Sequence, residues 1–274
     1  MEQLPLIIEP EALVNHLDRS DLILVDLCSL TQYQEAHLPG AHHVAPAETQ
    51  LGITPGPGRL PTTEALSALI SRLGITPDKH VVVYDDEGGG WAGRFIWLLD
   101  CIGHTRYSYL NGGLIAWHAL SLPLTPTVPP AAETTVSVTV HEAPTVSTDD
   151  LIELVNNKSV TVWDARSPQE YTGEKIVSAR GGHIPGAINF EWTQAMDPGR
   201  DYRLKPLSKL EKILTDLGIL NGKPIITHCQ SHHRSGLTYL IAKALNQPVQ
   251  AYAGSWSEWG NRTDTPIESE TKVS

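Results

Sequence analysis

The chain has 274 residues, 41% of them hydrophobic and 19% charged, an ordinary composition for one or two globular domains. Its formal net charge of −11 argues against general nucleic-acid binding, which needs a basic surface. An anionic substrate would have to be drawn in by local cations against the overall field.

No apolar run approaches the roughly 20 residues of a membrane span. The start, Met1-Glu2-Gln3-Leu4-Pro5, carries no basic stretch and apolar core, so no leader is expected there. Three scattered cysteines, Cys28, Cys101 and Cys229, argue against a disulfide framework or structural zinc. They suit a reducing compartment, and a cytoplasmic location is expected.

In chain order, Leu22-Ile23-Leu24-Val25-Asp26 reads as a short buried strand, and His37-Leu38-Pro39-Gly40-Ala41 as a turn. Glu64 to Leu73 has helical spacing, and Val81-Val82-Val83-Tyr84-Asp85 is again a strand. A glycine-rich, acidic loop follows, Asp85-Asp86-Glu87-Gly88-Gly89-Gly90. Pro123 to Ala132 is proline-rich and predicts an extended linker.

Beyond it the same series returns. Val160-Thr161-Val162-Trp163-Asp164 repeats the first strand, and His183-Ile184-Pro185-Gly186-Ala187 repeats the turn. Leu207 to Leu217 reads as a helix, and Pro224 to His228 matches the second strand. Gly254-Ser255-Trp256-Ser257-Glu258-Trp259 matches Gly112-Gly113-Leu114-Ile115-Ala116-Trp117. An offset near 140 residues throughout means a duplicated domain. The expected division is an N-terminal domain over 1–124, a linker over 125–144 and a C-terminal domain over 145–274. Strands alternating with helices predict an α/β fold, each domain a central parallel sheet flanked by helices.

Duplication supplies an internal control. Asp26 with Asp164, and His37 with His183, occur in both copies and read as structural. Cys229 occurs in one copy, opposite Asp85, and Arg166 stands opposite Cys28. The second copy therefore reads as the catalytic one and the first as inert. Cys229 ends a strand and opens the tight loop Cys229-Gln230-Ser231-His232-His233-Arg234-Ser235, with helix predicted from Leu237 to Leu245. Amides of Gln230 to Ser235 would converge on the loop centre, and the helix end would add positive potential. A thiol there ionises readily and is a nucleophile.

Tyr33-Gln34-Glu35-Ala36-His37-Leu38-Pro39-Gly40-Ala41-His42-His43-Val44 and Val249-Gln250-Ala251-Tyr252-Ala253-Gly254-Ser255-Trp256-Ser257-Glu258-Trp259 resemble the two signatures of the rhodanese family of sulfurtransferases. The Cys229 loop is similar to that of bacterial members of the Azotobacter and Pseudomonas type. The resemblance covers the whole chain. It implies transfer of the outer sulfur of thiosulfate to a thiophilic acceptor (cyanide, a dithiol or a protein) through a persulfide on Cys229. It implies no cofactor and no metal, and a monomer is expected. Alternatives within the resemblance are a 3-mercaptopyruvate sulfurtransferase and a persulfide carrier serving a protein partner.

Cys229 and Arg234 are the expected catalytic residues. Gln230, Ser231, His232, His233, Ser235 and Arg166 are expected to bind substrate. Four residues separate Cys229 from Arg234, whereas related phosphatases have five and a wider loop, which disfavours phosphatase activity. Mammalian rhodaneses carry a substrate-binding arginine four residues after the position of Arg166; here it is Glu170. The donor's anionic end is therefore assigned to Arg234, His232, His233 and Arg166. Cys28 and Cys101 read as small buried hydrophobes. Trp256 and Trp259 read as core. Arg180, Arg200 and Arg203 read as solvated loop residues, and Glu268-Ser269-Glu270 as a solvated end.

Overall fold

The computed structural model describes residues 3–131 and 134–269. Met1 and Glu2 of the N-terminal stretch, Ala132 of the proline-rich stretch and Glu270 of the acidic end lie outside the described residues. The chain forms two compact units. One comprises 1–49, 61–141 and 196–204; the other comprises 50–60, 142–195 and 205–274. Neither unit is a single stretch of sequence.

The first half runs β1 (Ile7–Ile8), α1 (Pro10–Leu13), β2 (Leu22–Asp26), α2 (Leu30–Glu35), β3 (Ala41–His43), α3 (Thr63–Leu73), β4 (His80–Tyr84), α4 (Gly90–Cys101), β5 (Tyr107–Leu110) and α5 (Gly113–Ala119). The strands form one parallel sheet in the order β1-β5-β4-β2-β3. β4 is buried along its whole length, which is why its sequence reads as an unbroken apolar run. α3 starts where the Thr62 hydroxyl accepts the Ala65 N–H at 3.3 Å, and buries Leu66, Leu69, Ile70 and Leu73 on one face.

The second half runs α6 (Thr148–Asn156), β6 (Thr161–Asp164), α7 (Pro168–Thr172), β7 (Ile188–Asn189), β8 (Met196–Asp197), β9 (Arg203–Leu204), α8 (Leu207–Asp216), β10 (Ile225–His228), α9 (Arg234–Ala244), β11 (Val249–Ala251) and α10 (Ser255–Trp259). Its parallel sheet has the order β11-β10-β6-β7. The architecture is the expected one: two tandem α/β units, each with a parallel sheet flanked by helices. α9 begins three residues earlier than its periodicity predicts, at Arg234 rather than Leu237.

β8 and β9 form a small antiparallel hairpin that belongs to the first unit. There Arg203 reaches Glu9 at 2.6 Å and Glu11 at 2.8 Å, and the Leu204 N–H donates to Asn111 Oδ1 at 2.8 Å. Arg203 is thus 8% exposed and ion-paired, not solvated as expected. Among the described residues of the expected linker there is no helix or strand; Thr125 makes an isolated bridge to His37, and Val136 and Val138 donate to the hydroxyls of Ser71 and Ser67 on α3 at 2.8 and 3.2 Å.

Candidate active site

β10 lies beside β6 with His228 opposite Asp164. Their carboxyl ends therefore deliver Cys229 and Arg166 to the same end of the second sheet, where sites in parallel α/β sheets form. From Cys229 the loop turns sharply, with His232 in the left-handed region at φ 56. Ser255 fixes this turn: its Oγ accepts the Cys229 N–H at 3.3 Å and the His232 N–H at 3.1 Å, and donates to the Tyr252 carbonyl at 2.9 Å. α10 holds the loop's carbonyls: Trp256 N–H donates to Cys229 O at 3.0 Å and Ser257 N–H to Gln230 O at 2.9 Å.

The thiol is 1% exposed. Burial by itself raises its pKa. The charge of Arg234, the hydroxyl and amide of Ser235, and His233 together outweigh burial and hold the thiol below its ordinary value. The eleven-residue α9 adds the positive end of its dipole. Only part of the expected amide cradle serves the sulfur, because the His232 N–H turns to Ser255 instead. The His232 ring is buried, with Nδ1 2.8 Å from Ser235 Oγ. Gln230 Nε2 reaches Ser178 Oγ at 3.2 Å, and the half-buried His233 ring lies 5.6 Å from that of Trp192.

Arg234 forms a two-pronged pair with Glu170: Nη1 to Oε2 at 2.7 Å and Nη2 to Oε1 at 2.9 Å. Glu170 sits in the first turn of α7, where Ser167 and Glu170 make a reciprocal capping box. Burial would raise the Glu170 pKa, but the Arg234 bonds dominate and hold it down to about 2. Sequence reasoning marked Glu170 as a departure and missed its partner.

Arg166 needs correction. It is fully buried, bonded through Nε and Nη2 to Asp164 at 2.6–3.0 Å and to the Gly182 carbonyl at 2.8 Å. Its guanidinium lies 4.3 Å from the Trp256 ring centroid. In this arrangement it neutralises Asp164, and its remaining nitrogen, Nη1, has no hydrogen-bond partner but is buried away from solvent. Arg180 is likewise committed, to the carbonyls of Trp259 and Thr265 at 3.0 Å, and is not a solvated residue.

Sequence gave no hint of residues 50–60. This segment of the first half belongs to the second unit, where it lies against the Cys229 loop. Gly58 is the point of contact: a Cβ there would collide with the Ser231 carbonyl and come within 2.6 Å of the Ala253 carbonyl. Beside it Arg59 grips Glu258 of α10, which also accepts the Thr148 hydroxyl at 2.6 Å.

The first unit repeats the frame with different contents. Cys28 N–H donates to Asp26 at 2.7 Å, as Arg166 N–H does to Asp164 at 3.0 Å. The Tyr33–His37 and Tyr171–His183 rings stack at 3.8 Å in both copies, so those histidines are structural. At the position of Cys229, the Asp85 carboxylate accepts the N–H groups of Glu87, Gly88, Gly89 and Ala92 at 2.8–3.2 Å. Its own side chain fills the cradle. Cys28 and Cys101 are fully buried, Cys28 within the apolar cluster of the first unit, and Trp256 and Trp259 are core residues. Among the described residues no three His, Cys, Asp or Glu side chains converge as a metal site, and no helix is long and apolar enough to cross a membrane.

A buried, polarised thiol between a parallel strand and a helix N-terminus is the candidate nucleophile of a duplicated α/β fold. The family model for the rhodanese-like domain matches twice, over residues 9–120 and 147–262, and the chain belongs to that family. It is 56% identical over 266 residues to a thiosulfate sulfurtransferase of Azotobacter vinelandii and 53% identical to one of Pseudomonas aeruginosa, each alignment covering 97% of both chains. The crystal structure of a 3-mercaptopyruvate sulfotransferase from Escherichia coli superposes with a TM-score of 0.81 at 27% identity, covering 92% of this chain and 99% of that one.

Proposed function

We propose that this chain is a thiosulfate sulfurtransferase working through a persulfide on Cys229. The observation that carries the reading is the polarised Cys229 thiol, held at the end of β10 and facing the start of α9. The thiolate attacks the outer sulfur of thiosulfate. A new S–S bond forms to Cys229, the donor's S–S bond breaks, and sulfite leaves with the bonding pair. The acceptor then attacks the outer sulfur of the persulfide and regenerates the thiolate. With cyanide the product is thiocyanate. Loop amides, Ser235 and Arg234 stabilise the anion on sulfur in both states, so the difficult displacement becomes two easier ones. Gln230, Ser231 and His233 line the approach and orient the donor, while the buried His232 holds Ser235 from behind. The first unit is inert because the Asp85 carboxylate occupies its cradle.

Intact mass before and after thiosulfate, then after cyanide, tests the reading. A gain of about one sulfur mass, lost on cyanide and absent in Cys229→Ser, is expected. The likeness to the Escherichia coli structure supports 3-mercaptopyruvate as a second donor. A gain with that compound alone would reassign the activity, and a gain with neither would end the sulfurtransferase reading. The chain works in the cytoplasm, where its three cysteines stay reduced.

A further inference from the structure

Both arginines at the Cys229 loop are already matched by carboxylates. Arg166 is charge-matched by Asp164 and fully buried, and the Arg234 fork is occupied by Glu170. The Glu170 side chain is 4% exposed, and its Oε2 also accepts the Ser167 hydroxyl at 3.0 Å and the Ser167 N–H at 3.3 Å. Leaving Arg234 would therefore also undo the α7 cap. The Arg234 side chain is 20% exposed, so solvent-borne anions can reach its edge.

From this geometry we infer that Glu170 is the residue that sets the anion response of the site: it competes with the donor's anionic end for Arg234 and keeps released sulfite from lodging there. The inference rests on Cys229 being the nucleophile. The two arginines and two carboxylates sum to zero. Before the donor arrives, positive potential then comes from the loop amides and the α9 N-terminus. A dianionic donor meets a cation whose two terminal nitrogens are taken, and binds by sharing or displacing the Glu170 carboxylate. The same competition speeds exit of the anionic product.

Glu170→Gln removes the competing charge while keeping size and one acceptor. Expected are a KM for thiosulfate lowered about three- to tenfold, an inhibition constant for sulfite lowered by a similar factor, and no increase in kcat. The direction is diagnostic, because damage to packing or to the α7 cap raises KM or lowers kcat. Unchanged or raised KM together with unchanged sulfite inhibition overturns the inference. If Glu170→Gln does not fold, Glu170→Asp carries the test. Its carboxylate, one methylene short, loses the two-pronged grip and must lower KM in the same direction by a smaller factor. Unchanged KM there also overturns it. Peptide mapping after iodoacetamide separates the two failures: alkylation at Cys28 or Cys101 in place of Cys229 sinks the nucleophile assignment and the inference with it, whereas alkylation at Cys229 with unchanged KM and sulfite inhibition in the variants overturns the inference alone.

Discussion

Ser255 Oγ and the Cys229 backbone N–H lie 3.3 Å apart, and the same oxygen accepts the His232 N–H at 3.1 Å. One hydroxyl thus ties both ends of the nucleophile's turn to the start of α10. Ser255 is itself in the left-handed region at φ 53, so its backbone is strained to bring the oxygen there.

Ser255→Ala keeps that backbone strain and orphans two buried amides. It should cost about 1–3 kcal/mol of stability and reduce kcat more than it raises KM, since the loop loses its set without losing its cations. Urea unfolding and steady-state kinetics on the same preparation decide it; wild-type kcat would show that α10's bonds to Cys229 O and Gln230 O suffice.

Gly58→Ala places a methyl group against the Ser231 and Ala253 carbonyls. The loop must yield or residues 50–60 must lift away. Activity is expected to fall at least about tenfold, with destabilisation of only about 1–3 kcal/mol. A variant as active as the parent would mean the segment has no hold on the loop.

Removing Arg166 should be a stability defect, not a binding defect. Arg166→Gln leaves the Asp164 carboxylate buried and uncompensated, at a cost of about 3–5 kcal/mol. Whatever folds should keep a thiosulfate KM close to that of the parent. A stable protein with a KM raised more than about tenfold would restore Arg166 as a substrate cation.

Burial holds the fully buried His228 down to about 4; Asp164 opposes this, and Arg166 and Arg234 reinforce it. In the unfolded chain an imidazole titrates near ~6.5. Above that both states are neutral. As pH falls from about 6.5 to about 4 the unfolded state takes up a proton that the folded state refuses. Stability is therefore lost across that window, by about 3 kcal/mol from this residue. His80, also held down to about 4 mainly by burial, adds to the slope from the first unit. Urea unfolding at a series of pH values should show the decline, and His228→Asn should flatten it by about half. An unaltered slope in that variant would remove His228 from the account.

Much of this was legible in the sequence for a physical reason. Strand and helix periodicities are local, so β4, α3 and β10 can be read from runs of apolar residues. Duplication then compares each position with its partner, which singles out Cys229 opposite Asp85 as the candidate nucleophile. The partners of the charged residues were not legible, because pairing in space has no fixed sequence interval. Glu170 and Arg234 lie 64 positions apart and Arg59 and Glu258 lie 199 apart. Only tertiary structure decided that Arg166 is spent on Asp164, that Arg234 is shared with Glu170, and that residues 50–60 brace the Cys229 loop. The sequence by itself determined the fold, its duplication and the candidate nucleophile. The packing of distant segments decided which cations remain for an anion, because a charge counts at a site only after its nearest buried counter-charge has been subtracted.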